Sequence, residues 1–518
     1  MKKTIRLSAL LLAVLTALAL LASCAQTNDP ETTTGAIVEP DNPDVTEKPT
    51  VDSNGYKLDD IPADLKFNGA TVKILYWSDA ERVEFEVEES ELNGDIVKEA
   101  IYKRNLNTED RLGVTFEWQS TKGANAYIGD FVKYTQNLYN GGDADRVDII
   151  ATYTRSAGSC STAGLLKDMN SIDNSYINFN QPWWPERCYD TCTIGDSLFF
   201  CSGDISTNVL HFMYCIYYNI DMLKDYPELE DPVKYVDDKT WTIDKLIEMT
   251  RNIYLDNDNN GVTNYEDRYG FCSIDYGLDA FYTGSGLRLV DSDPTDILVI
   301  SDDFTSQKAS DLCDKLGTWL NSNCCFVDGS KKSMDSKSNY YPFVHGEALF
   351  AQNRVYLADS VSGSKLHEVE WQYGILPTPL YDENQENYIT VVGNPFTLWA
   401  IMAGIDSERA EIATAVMEVM ASEAYRNTTP ALFETNMKYR YTAGADNDGV
   451  RMFDIIHNTI DFDLGRIYSK DLNYMSEMPS KCAATGNKWG SQMNTQAKAL
   501  RKAVANKVVE PLKAVMGK

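Results

Sequence analysis

The 518-residue chain is 43% hydrophobic and 11% aromatic, which supplies a sizeable apolar core and excludes wholesale disorder. Lys and Arg number 47 against 77 Asp and Glu, and the net charge of -30 repels phosphates, which excludes a nucleic-acid partner. At roughly 150 residues per domain the length suits more than one folded body.

The first feature in chain order is an export signal. Lys2, Lys3 and Arg6 precede the uncharged run from Leu7 to Ala22, the basic and apolar regions of a signal peptide expected over residues 1–23. The run closes on Leu21-Ala22-Ser23-Cys24, which resembles the bacterial lipobox, so Cys24 is expected to carry a diacylglycerol. The plainer alternative is a cleaved signal with an incidental Cys. No later stretch reaches the roughly 18 continuous apolar residues of a spanning helix, so the acyl group is the expected anchor, on the extracellular face of the cell membrane. Residues 24–56, the lipidated Cys and a Thr-, Pro- and acid-rich stretch, read as a disordered tether. The remaining Cys have neither disulfide-framework nor zinc spacing and are expected as buried thiols.

Thr71-Val72-Lys73-Ile74-Leu75-Tyr76-Trp77 reads as a strand, followed by a helix from Asp95 whose Ile96, Val97, Ala100 and Ile101 share a face. Val114-Thr115-Phe116-Glu117-Trp118 alternates as a second strand. A helix carrying Tyr127, Ile128, Phe131, Val132 and Leu138 leads to a third strand, Val147-Asp148-Ile149-Ile150-Ala151. This β-α-β-α-β order predicts an α/β fold, an open and mainly parallel sheet whose ligands sit beyond the carboxyl ends of its strands. The run from Phe212 to Asn219 predicts a strand of a second α/β region, and Thr242 is placed to cap a helix through Leu246, Ile247 and Met249. Near the C-terminus, Ala499, Leu500, Val504, Val508 and Leu512 form an apolar helix face suited to packing.

Several segments, in order, resemble the carbohydrate-type (family 1) extracellular solute-binding proteins of bacterial ABC importers. Tyr217-Tyr218-Asn219-Ile220-Asp221 is similar to that family's Tyr-Asn-Lys-Asp turn, and Thr240-Trp241-Thr242-Ile243-Asp244-Lys245-Leu246 to its Thr-Trp-Thr-Trp-Asp-Glu-Leu helix start. Asp267-Arg268-Tyr269-Gly270-Phe271, Phe343-Val344-His345-Gly346-Glu347-Ala348-Leu349-Phe350 and Tyr373-Gly374-Ile375-Leu376-Pro377-Thr378-Pro379 continue the likeness. The resemblance implies a two-lobe periplasmic-binding-protein-like fold (type II), hinged between the lobes. One lobe is expected from residues 57–208 plus about 353–420, the other from about 209–352 plus 421–518. It further implies a monomer, not an enzyme, that captures an oligosaccharide in a closing cleft and delivers it to ABC permease subunits, with no required cofactor. A glycan-active surface hydrolase and a scaffold lipoprotein are the alternatives. There is no Gly-x-Ser-x-Gly elbow, and no spacing selects a carboxylate pair.

A sugar site calls for aromatic faces with polar groups around them. Trp77 ends the first strand, and Trp183 and Trp184 are adjacent indoles between two prolines, so each is a candidate cleft residue whose alternative is a core position. Asp204 follows a strand-like run and suits a hydroxyl acceptor or a turn. Tyr276 and Tyr282 flank a stretch ending Gly284-Ser285-Gly286, read as a loop near the cleft. By the family likeness, Asn353, Arg354 and Tyr356 fall where cleft contacts are common. In segment 256–267, Asp256, Asp258 and Asn260, a Gly at the sixth position, the Val262 carbonyl and Asp267 follow the EF-hand calcium loop, with Asp in place of Glu at the twelfth. Some related sugar binders hold such a structural calcium; the alternative is an Asx-rich turn without metal. The acids Glu84, Glu86, Glu88, Glu89 and Glu91 read as a solvated face.

Overall fold

Strand β1 (Ala70–Trp77) buries Val72, Ile74, Leu75 and Trp77, and it lies between β2 (Val114–Thr121) and β3 (Ile149–Tyr153), parallel to both. The computed structural model of the protein describes residues 50–328, 340–359, 366–433, 448–486 and 488–517. The signal segment, Cys24 and the tether as far as residue 49 lie outside the described residues. Helix α1 (Ile96–Leu112) joins β1 to β2; the Asp95 carboxylate caps its first turn by accepting from the Val97 and Lys98 amides, and Gly113 ends it at φ +62°. The buried face of α1 keeps the predicted Ala100 and Ile101, with Val97 half-buried, but not Ile96. Ile96 is exposed, whereas Ala100, Ile101, Arg104, Asn105, Thr108 and Leu112 are buried, because Arg104 donates to the Glu84 and Ile205 carbonyls and must lie inward.

Helices α2 (Ile128–Asn140) and α3 (Thr154–Thr162) flank β3. The second sheet is built from β4 (Tyr214–Asn219), β5 (Arg268–Ile274), β6 (Cys325–Asp328), β7 (Ala348–Arg354) and β8 (Tyr373–Leu376), in the order β6-β5-β7-β4-β8, with Tyr254–Leu255 paired to β5. Among these five only β4 runs against its neighbours, and Tyr254–Leu255 is antiparallel to β5. Every residue of β3, β4 and β7 is buried, as strands covered on both faces require. Helix α4 (Ile243–Thr250) is capped by the Thr242 hydroxyl, which accepts from the Lys245 amide at 3.2 Å. Helix α5 (Gln307–Leu320) presses Trp319 onto Phe271 of β5, ring centroids 4.5 Å apart.

The chain then returns to the first sheet as β9 (Thr397–Ile401), antiparallel to β3 at the edge, and continues into helix α6 (Ser407–Glu423). The return comes later than expected near residue 353, because β8 still pairs with β4. Residues 424–433 also depart from the expected second lobe: they pack on α1. Helix α7 (Asp448–Asn458) follows, and the C-terminal helical stretch buries Leu500, Val504, Val508 and Leu512 but exposes Ala499, which falls off the face formed by Met493, Ala497 and Leu500. The expected loop at 276–286 is instead helical over Asp279–Gly284 and buried there. Glu84 leaves the solvated acidic group; it is buried and accepts from the Asn208 amide at 3.0 Å, whereas Glu86, Glu88, Glu89 and Glu91 are exposed. The ten cysteines of the described residues are all buried, and burial pushes the Cys160 thiol up to about 12. None of the described helices is long and apolar enough to cross a membrane.

Candidate functional site

The carboxyl ends of the parallel strands in each sheet are where open α/β folds bind ligands. Here they carry a band of arginines and tyrosines. Arg82, five residues past the end of β1, reaches residues just beyond β7: its guanidinium lies 4.2 Å from the Tyr356 ring centroid and pairs with Asp359 at 3.0 Å. Arg155, just past β3, donates to Asn125 and to Glu477, each at 3.0 Å, and lies over the Tyr474 ring at 5.0 Å. Glu477 precedes a helix, Met478–Thr485, that packs on α5 beside the second sheet. The Arg82–Asp359 pair therefore ties the strand ends of one sheet to those of the other, and the Arg155–Glu477 pair ties β3 to a helix packed beside the second sheet.

Between them lies Arg466, buried, which donates to Asp279 at 2.6 Å and to the Asn394 side chain at 3.1 Å. Burial pushes the Asp279 carboxyl up and Arg466 opposes that shift. Tyr214, the first residue of β4, is buried; burial first, and then the Asp279 charge, raise its hydroxyl above the usual tyrosine range. Two aromatic side chains of the band face solvent, Tyr276 at 47% exposure and Tyr474 at 37%, an uncommon placement for large rings and a suitable one for stacking on a sugar face.

Of the residues expected at the site, Arg354 and Asn353 end β7, Tyr356 follows it and Tyr276 follows β5, so these reach the band. The others do not. Trp77 is buried in the first sheet with its indole N–H donating to Thr397 Oγ1 at 2.8 Å. Tyr282 is buried against Trp489. Trp183 and Trp184 both pack inward, which their adjacency argued against, because the irregular backbone lets both indoles converge on one carboxylate. Their N–H groups reach Glu418 of α6 at 3.1 and 2.9 Å, and the Asn178 amide adds a third donor. Asp204 is a buried support: it accepts from Thr429 at 2.9 Å and faces His457 Nε2 at 2.8 Å. Gly203 beside it leaves no room for a side chain, since an added Cβ would lie 2.3 Å from the Trp183 carbonyl.

Trp184 and His457 do line a hollow of about 520 Å3 with Phe179, Pro182 and Pro185. None of these residues stands at the carboxyl end of a strand of either sheet, where open α/β folds bind ligands. Arg82, Arg155, Arg466 and Tyr474 were not legible as site residues. Arg155 had a signal, its place four residues past a predicted strand; Arg466 and Asp279 are 187 positions apart and carry none.

Glu418 has a measurable consequence. Burial pushes its carboxyl up to about 7, although the indole and amide donors oppose the shift. A carboxyl raised on folding binds protons more readily in the native chain, so its contribution is full below the unfolded value of 4.5 and is lost as pH rises through 7. Between pH 5 and 8 the wild type is expected to lose about 2–3 kcal/mol relative to Glu418→Gln, read from urea denaturation of both. Parallel stability curves would remove Glu418 as the cause.

In the loop 256–267, one oxygen from each of Asp256, Asp258 and Asp267 lies within 4.8 Å of the others. Gly261 turns the chain at φ +72°, and its amide donates to Asp256 at 2.9 Å. Asp267 is buried, and its Oδ1 has no hydrogen-bond partner among the described residues. Asn260 and the Val262 carbonyl lie on the same loop, Asn260 Oδ1 accepting from the Val262 amide at 2.6 Å. An inward, unsatisfied carboxylate oxygen suits a cation better than a bare turn.

Solved structures share this fold. One is a cyclo/maltodextrin-binding protein complexed with maltotetraose, 14% identical, with a TM-score of 0.53 over 85% of this chain and 99% of that one. Another is the cyclic alpha-maltosyl-1,6-maltose binding protein from Arthrobacter globiformis, 12% identical, with a TM-score of 0.53 over 85% of this chain and 100% of that one. No protein-family model matches the sequence, and no curated protein matches it significantly. The likeness is one of fold, the two-lobed α/β architecture of solute-binding proteins.

Proposed function

We propose that this chain is an extracellular solute-binding protein that captures an oligosaccharide between its two sheets and passes it to an ABC importer. The observation that carries the reading is the band of tyrosines and arginines at the joined strand ends, with Tyr276 and Tyr474 open to solvent. Stacking rings beside guanidinium donors suit a sugar's C–H faces and hydroxyls. The carboxylates of the band, Asp279, Asp359 and Glu477, are each engaged by an arginine, which favours binding over the acid–base work of a hydrolase. Two sugar binders share the fold, and the segments quoted above resemble the same class.

Calorimetric titration of the chain against oligosaccharides tests this. One-site binding without shorter products is expected, and Tyr356→Ala should weaken it by about 1–3 kcal/mol, the range for an aromatic anchor. Release of shorter sugars would replace the receptor reading with the hydrolase alternative.

Lipidation of Cys24 is supported by the sequence pattern alone. An acyl anchor suits a receptor that must stay near its permease, and labelled fatty acid should enter the wild type but not Cys24→Ser. Calcium in the loop 256–267 is supported by the buried Asp267 oxygen. If bound at a hundredfold excess over its Kd, the ion stabilises the fold by about 2.7 kcal/mol. A chelator should therefore lower the melting temperature of the wild type and leave that of Asp256→Ala/Asp258→Ala unchanged; equal curves with and without chelator for the wild type return the loop to a bare turn.

A further inference from the structure

Four arginines reach the strand-end band, and three of them face a carboxylate: Arg82 with Asp359, Arg155 with Glu477, and Arg466 with Asp279. Arg354 differs. It is only 9% exposed, and its guanidinium lies 4.6 Å from the ring centroid of Phe212 and 5.4 Å from that of Tyr356, two rings that touch each other at 5.6 Å. Among the described residues no carboxylate pairs with it, and its Nε has no hydrogen-bond partner. The buried Tyr340 hydroxyl has no partner among the described residues either. Tyr340 is held there with φ at +57°, in the left-handed region that a bulky residue seldom occupies without support from its surroundings.

Withdrawing a guanidinium from water is costly unless a counter-charge or a full set of acceptors replaces the water. With 77 acidic residues in the chain, a carboxylate partner for Arg354 is easily supplied, yet none pairs with it. Closure of the cleft on a neutral sugar would desolvate the group further, with Glu81 acting on it only through its charge and no carboxylate bonded to it. An anionic group on the solute removes that penalty, because a planar guanidinium fork accepts a carboxylate in two parallel hydrogen bonds. The net charge of -30 opposes an anion at long range, but at physiological salt it is screened beyond about 8 Å, so the local pairing decides.

We infer that the solute is an acidic oligosaccharide, one built with uronic acids, whose carboxylate takes the Arg354 fork and the Tyr340 hydroxyl while a ring lies against Tyr356. This rests on the receptor reading above and narrows it.

The test is calorimetry with di- to pentasaccharides of galacturonic, glucuronic, mannuronic and guluronic acid, each beside its methyl ester, and with neutral malto- and xylo-oligosaccharides. At least one acidic oligosaccharide is expected to bind roughly tenfold or more tightly than its own ester, the order of one charge-assisted hydrogen bond. Arg354→Met should erase that preference and Arg354→Lys should keep part of it. The acid-to-ester ratio is read on the wild type, so the result stands even where a variant folds poorly. Equal binding of acid and ester, or tight binding of neutral sugars alone, overturns the inference and leaves the receptor reading intact. Binding of no saccharide of either kind overturns both.

Discussion

Trp183→Ala is expected to lower stability by about 3–5 kcal/mol, the cost of emptying a large buried aromatic site, and to leave the affinity of the folded protein for its solute unchanged. Trp183 has no exposed surface, lies 6.0 Å from the Tyr425 ring, and gives Glu418 one of its three donors. Truncation removes packing and at the same time leaves a buried carboxylate with fewer hydrogen bonds, and the two losses act in the same direction. Trp184 should behave alike, softened where its ring borders the hollow beside His457. Urea denaturation gives the stability and calorimetry on the folded fraction gives the affinity. A stable variant with lost affinity would return Trp183 to the solute site.

Arg466→Met should cost a similar amount, about 3–5 kcal/mol, by a different route. The substitution keeps much of the stem but leaves Asp279 buried without its counter-charge, and an uncompensated interior charge is far more damaging than the net worth of the pair. The double variant Arg466→Met/Asp279→Leu removes both charges and should recover most of the loss. If the single variant costs under about 1 kcal/mol, the pair is not the support of the band that its geometry makes it.

The contrast between these residues shows what the sequence discloses. Alternation and helical period locate β1, β2, α2 and α4, because backbone periodicity is printed locally in the order of apolar residues. Arg354 and Tyr356 reach the band as the family likeness implied, Arg354 at the end of β7 and Tyr356 just past it. The direction in which a tryptophan points is not local. Trp183 and Trp184 turn inward because of a carboxylate 235 and 234 positions away. Burial of Glu84 is set by Asn208, 124 positions on, and Arg155 meets Glu477 across 322. Pairings of that range follow from tertiary packing, so neither composition nor spacing announces them.

The central claim is that solute lies at the strand ends, between Tyr356, Arg354, Tyr276 and Tyr474. A crystal structure of the chain with its tightest-binding oligosaccharide tests that claim most directly. We expect sugar rings against Tyr356 and within hydrogen-bonding reach of Arg354, with the Arg82–Asp359 and Arg155–Glu477 pairs bordering the ligand. Sugar density in the hollow beside Trp184 and His457, with the strand-end band untouched, would contradict it.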